Sequence, residues 1–273
     1  MTAFFNGHIP PFAQPGGEPV HIRVILTYKA TVQSVSPAGA VIDFSVDSAD
    51  IGLLQKDPGH NGKVNPDAVI PFPLPLDEIQ KTLNVTAVIR ADGSIASLKT
   101  GTTTPVRIQL GFDIRRICLL MMPLIFPNKP LNANDTWAFD DGVLGKRLGD
   151  VTYGGTLVSA TAAGGSERYQ FAETALAKID SKVDKDGNPT TSAVAAEGSL
   201  SGTAKLAGSV RFMSPAPADA TTAGFMALGH FDLTVLLKRT RDKPDPLDPG
   251  APLVSTIDIA ARLNVQDLPP SSN

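Results

Sequence analysis

Residues 113–137 read DIRRICLLMMPLIFPNKPLNANDTW, and the reading of this stretch decides what kind of fold the chain can form. From Ile117 to Pro127 only Cys118 carries a polar hydrogen on its side chain, and the run ends just before Trp137. It is too short to cross a bilayer, which takes about 20 apolar residues in a helix, and Pro123 and Pro127 interrupt it. Upstream, Thr104 before Pro105 has the form of an N-cap followed by proline at the first helical position. Val106, Leu110, Ile114, Ile117, Cys118 and Met121 then share one helical stripe. Val106, Ile108, Leu110, Phe112 and Ile114 also alternate as a strand would. The cap, and the loss of alternation after Ile114, predict a helix over 103–122 that Pro123 ends.

The rest of the chain reads as antiparallel strands. VHIRVILTYKATVQSV (20–35), SPAG (36–39) and AVIDFSV (40–46) form strand, turn and strand. LNVTAVIRADGSIASLKT (83–100) repeats the device, with Asp92-Gly93 suited to the positive φ of a tight hairpin. Gly164-Gly165 and Asp186-Gly187-Asn188 mark two further turns, within 153–174 and 175–198. Residues 199–213, 225–240 and 253–265 supply the last strands. Segments 55–77 and 241–252 are too rich in Pro and Gly for central strands. The predicted organisation is a lead segment at 1–19, flexible or strapped down, one β domain over 20–268, and a tail at 269–273. The predicted fold is mainly β: a large curved antiparallel sheet of about ten strands, or a half-barrel, with the helix at 103–122 packed on its concave face.

Composition narrows the function classes. A net charge of −3 gives no footing for nucleic acid or an anionic membrane surface. A single cysteine excludes an internal disulfide and any multi-cysteine metal site. His8, His21, His60 and His230 lack ligand spacing, and no nucleophile elbow or P-loop occurs. DKDGN (184–188) begins like a calcium loop, but no acidic residue closes it at the right place, so it reads as a turn. Asp140-Asp141 reads equally as a loop or a carboxylate pair, Arg115-Arg116 reads as a solvated helix face, and Cys118 reads as a buried, inert thiol. No catalytic residue, metal or cofactor is expected.

The order of hairpin, long insert, hairpin with ADG, apolar helix and PLIFPNKPLNANDTW resembles a family of bacterial cell-envelope proteins of unknown function. The resemblance rests on Phe126, Pro127, Pro130, Asp135, Thr136 and Trp137, with Asn134 where that family has glycine. Asn fills such a place when the backbone is left-handed. The resemblance implies an extracytoplasmic location (periplasm, outer surface or secreted), a signal peptide that preceded Met1 and was removed, and an architecture similar to the periplasmic lipoprotein carriers. In that architecture a lipid or acyl chain lies between sheet and helix. Phe112, Leu119, Met122 and Phe126, with Ile70, Phe72 and Leu74 of the Pro-rich insert, are the candidate apolar lining. Trp137, Pro127 and Pro130 are structural candidates, with Trp137 buried against the helix and its indole N–H bonded. For the same off-stripe residues plain core packing is the first reading, the ligand cavity the second and a partner surface the third. The alternative function is a structural or assembly component of the envelope or of an extracellular polymer, acting through sheet edges or the helix face.

Overall fold

The computed structural model describes residues 1–7, 19–57, 63–71, 76–100, 125–139, 149–163, 166–184, 190–214, 225–244, 250 and 252–266. Among these residues twelve strands form one antiparallel sheet. They are β1 (Thr2–Gly7), β2 (Val20–Ser36), β3 (Gly39–Asp57), β4 (Lys63–Pro71), β5 (Val85–Ile89), β6 (Ile95–Thr100), β7 (Thr136–Phe139), β8 (Gly149–Ala163), β9 (Ser166–Val183), β10 (Gly198–Ser214), β11 (Phe225–Arg241) and β12 (Val254–Gln266). The order across the sheet is β6-β5-β3-β2-β1-β12-β11-β10-β9-β8-β7, with β4 paired to β3 beside that path. One face is apolar at every second residue: Phe231, Leu233, Val235 and Leu237 of β11 are buried, while Asp232, Thr234 and Leu236 between them are exposed.

The expected half-barrel with a helix at 103–122 on its concave face is corrected by this topology. Among the described residues no ladder joins β6 to β7, so the sheet is open, with an edge at each end. Closing a sheet requires its end strands to pair at a fixed stagger. Alternating side chains show that one face is buried and say nothing of whether the ends meet. The helix among the described residues is α1 (Leu76–Leu83), while 103–122 lies outside them.

Helix α1 was hidden at the end of the Pro-rich insert. Its signals are Leu76, Ile79 and Leu83 on one face, acids at the start and Lys81 in the last turn. Ile79 and Leu83 pack on the main core. The helix also completes a gap in the ladder. β5 pairs with β3 only over Ala40 to Phe44, and β4 takes it up again at Gly52. Between them the Val46 N–H donates to Asn84 Oδ1 (2.8 Å), and Gln80 Nε2 donates to the Val46 carbonyl (2.8 Å). Two side chains thus replace a strand at a backbone that would otherwise lack partners.

Other local expectations are met or adjusted. Arg90 N–H donates to the Ser94 carbonyl across a turn in which Gly93 has φ 84°. Two hydrogen bonds from Ser94 hold the Asp92 carboxyl below its usual range. Residues 2–7, read as part of a lead segment, form the central strand β1. Residues 190–197, read as the return strand of a hairpin, form no strand: β10 starts at Gly198 opposite Val183, and Val194 is 97% exposed.

His21 on β2 has its pKa lowered, first by burial and then by the Lys56 ammonium. Its neutral form is therefore favoured on folding. That stability is complete above the ordinary histidine value of 6.5 and is lost as pH falls through the lower folded value. Thermal melts from neutral pH downward are expected to show this loss, and His21→Gln should flatten that part of the profile. An identical pH profile in the variant would refute the assignment.

Candidate functional site

A conspicuous aromatic cluster gathers at the end of the stretch 113–137. The Phe126 N–H donates to the Asp92 carbonyl (2.7 Å), the Asn134 N–H to the Leu157 carbonyl (2.6 Å) and the Leu157 N–H to the Asp135 carbonyl (3.1 Å). Residues 125–135 therefore strap the β5–β6 turn to β8. Asn134 has φ 72°, the left-handed conformation that lets asparagine stand in place of glycine. The Trp137 indole N–H donates to the Ile125 carbonyl (2.7 Å). Trp137 is half-buried, and its ring stands 6.1 Å from Phe126 and 6.4 Å from Phe171, with Phe126 edge-on to Phe171 at 5.3 Å. Such tilted and edge-on pairs suit the ring quadrupoles. Pro127 is half-buried at the foot of the strap, and Pro130 is exposed.

Beside this cluster lies a residue the sequence reading passed over. Trp137, Gly155, Glu173, Gly208 and Phe231 occupy one row across β7, β8, β9, β10 and β11. Glu173 is 2% exposed, and it is the buried charged residue among those described. It is not left without a partner. The flanking glycines leave room for aromatic rings: a Cβ at Gly155 would meet Trp137 Cζ2 at 2.5 Å. The signal was present in YQFAETALAKI, where Glu173 occupies the inward phase shared by Phe171, Ala175, Ala177 and Ile179.

Of the candidate apolar lining, Phe126 and Ile70 fall among the described residues, and they do not pack together. Phe126 belongs to the aromatic cluster, whereas Ile70 lies on β4, is exposed and is not among the residues packed there. Phe72, Leu74, Phe112, Leu119 and Met122 lie outside the described residues, as do Cys118, Arg115, Arg116, Asp140 and Asp141. Among the described residues no group of three or more His, Cys, Asp or Glu is placed to hold a metal ion. His230 Nδ1 lies 2.6 Å from Asn264 Oδ1 on the exposed face, a solvated, hydrogen-bonded histidine. No helix among them is long and apolar enough to cross a membrane, which leaves membrane-crossing strands unaddressed.

The second feature is a gap near the middle of the sheet. β1 has 6 residues and its neighbour β2 has 17, so β2 runs far past it. The Leu26 N–H donates to the Met1 carbonyl (2.8 Å), and the Met1 ammonium donates to the Leu26 carbonyl (2.7 Å). Among the described residues the ladder on that side reaches no further. Residues 29–36 are exposed on both faces. The reciprocal pair at Leu26 fixes the phase, because every second residue of an antiparallel strand turns its N–H and C=O to the same neighbour. The bulge between Thr27 and Tyr28 puts the extra residue in β3, so the alternation of β2 continues undisturbed. The N–H and C=O of Ala30 and Val32 therefore point to the open side.

Neither a family model nor a curated protein matches the sequence.

Side chains along the gap continue the sheet's two faces. Ala30, Phe44 and Val85 form one row, and Val32, Ile42, Ala87 and Leu98 form the next. These rows belong to a second apolar core built on Phe44, Val85, Ala87, Ile89 and Ile95. It runs out into solvent at Val32, 59% exposed, and at Val35, 77% exposed. On the other face Asp43 accepts from Gln33 Nε2 (2.7 Å) and Thr86 Oγ1 (2.6 Å).

Proposed function

We propose that the protein is a non-enzymatic assembly component, of the cell envelope or of an extracellular polymer, that acts through an open sheet edge. The observation that supports this is the apolar fringe of the β2–β3 hairpin, where the rows of the second core run out into solvent at Val32 and Val35. Exposed edges are templates for another strand, and proteins usually cover or blunt them. This fold covers the comparable gap in β3 with Gln80 and Asn84. It guards the β2 edge with one charge, Lys29, and one bulge at Gln33. Those devices restrict pairing, and they leave a regular stretch from Tyr28 to Val32.

In-cell photo-crosslinking tests the proposal. A photoreactive residue at Thr31, beside the gap, is expected to give discrete higher-mass adducts, whereas one at Thr234 on the open solvent face gives none. Ala30→Pro removes an N–H that faces the gap and interrupts no bond to β3, so the fold survives while the adducts disappear. Equal adducts from both positions, or adducts unaffected by Ala30→Pro, would overturn the reading.

A further inference from the structure

Resting on that reading, we infer that Phe126 is a latch that couples the second core, whose fringe is the proposed assembly surface, to the aromatic cluster around Trp137. With the latch seated, the β5–β6 turn and the rows behind the fringe are held in one arrangement. With it released, they loosen together and expose more of their apolar surface.

A continuous series of contacts carries this. The Trp137 indole N–H donates to the Ile125 carbonyl (2.7 Å), and the Phe126 ring lies 5.3 Å from Phe171 and 6.1 Å from Trp137. The Phe126 N–H in turn donates to the Asp92 carbonyl (2.7 Å). Asp92 belongs to a braced turn. Its Oδ1 accepts from the Ser94 N–H (2.9 Å), and the Gly93 N–H donates to the Arg90 carbonyl (3.0 Å). The strands on either side of that turn meet it at Ile89 and Ile95, both buried in the second core. Ile95, Ile89, Ala40 and Val35 then form one row across β6, β5, β3 and β2. That row ends at the fringe, where Val35 is 77% exposed.

The placement of the strap gives these contacts their consequence. β5 and β6 stand at one end of the strand order, and β7, β8 and β9 at the other, so the ladders link them only through every strand between. Residues 125–135 join them directly. Phe126 and Leu131 pack into the aromatic cluster, while 128–130 and 132–134 are exposed. Segments with few buried side chains open at low free-energy cost. Phe126 alone among these residues is tied to both ends, by its ring to Phe171 and by its N–H to the turn. Coupling between distant sites passes along such packed and hydrogen-bonded chains when an element in them has two arrangements.

Native-state hydrogen exchange on the whole protein tests the latch. Phe126→Ala is expected to speed exchange by at least about tenfold over 85–100 and 35–44 and to leave 230–240 and 254–264 unchanged. Phe212→Ala thins the same cluster away from the strap, and it should leave 85–100 unchanged. The reverse direction is read at Trp137, the single tryptophan. Ile89→Ala should shift its emission to the red, and should add no shift in the Phe126→Ala background. Phe126→Leu keeps an apolar side chain without the ring. It should show the same pattern at smaller size, and it replaces Phe126→Ala if that variant does not fold. Photo-crosslinking from Thr31 should rise at least about twofold in Phe126→Ala.

A uniform rise in exchange across all strands, or equal rises at 85–100 from Phe126→Ala and Phe212→Ala, means general loosening and overturns the latch. Unchanged exchange at 85–100 overturns it too, and so does an unchanged yield of Thr31 adducts. If Thr31 gives no adducts in either protein, the assembly reading falls and the exchange pattern alone decides the latch.

Discussion

Gly202→Ala is expected to lower the melting temperature by roughly 10 °C, the equivalent of about 3–5 kcal/mol in a chain of this size. Gly202 lies inside β10 with φ 143°, a region that L side chains rarely adopt. A Cβ there would stand 2.2 Å from the Leu236 carbonyl oxygen and 3.0 Å from Leu237 Cα. Both are backbone atoms of β11, so relief requires the two strands to move apart. On either side in sequence Leu200 and Ala204 are wholly buried in the main core, and any movement there opens it. Gly→Ala in an ordinary conformation is neutral or mildly stabilising, because it restricts the unfolded chain. The sign of the effect therefore reports the strained backbone. Thermal unfolding followed by circular dichroism checks it, and a shift below about 3 °C would refute the account.

Trp137→Ala is expected to cost about 3 kcal/mol, at the lower end for a large aromatic because the ring is half-buried. The loss has three parts: the contacts with Phe126 and Phe171, the bond to the Ile125 carbonyl, and the cover over Gly155. Gly155→Ala should also destabilise, by about 1–3 kcal/mol, because its Cβ would enter the indole ring. The two changes should not add. With Trp137 truncated, the methyl group at position 155 has space, so the double variant should be no less stable than Trp137→Ala alone, a coupling of about 1–3 kcal/mol. Trp137 is the single tryptophan, so intrinsic fluorescence reads the same site directly. Gly155→Ala should shift its emission to the red as the ring is pushed toward water. Simple additivity of the two destabilisations would show that ring and glycine do not share the space.

What could be read from the chain alone followed from forces that act over a few residues. Period-two alternation marked most of the strands, and Asp92-Gly93 marked a turn. The partner of the Trp137 indole was expected for the same reason, since a buried N–H must be bonded and its chain neighbours lie close. Glu173 was legible in principle, as a charge in the inward phase of an otherwise apolar strand. The tertiary structure decided the rest, because the deciding partner is remote in sequence. Residues 2–7 form a central strand only because β12, more than two hundred residues away, pairs with them. Helix α1 is too short to declare itself by periodicity, and it is held by Val46 of β3. The open ladder depends on which strands end where. That is a balance of pairing lengths across the whole sheet, and no local pattern in the sequence encodes it.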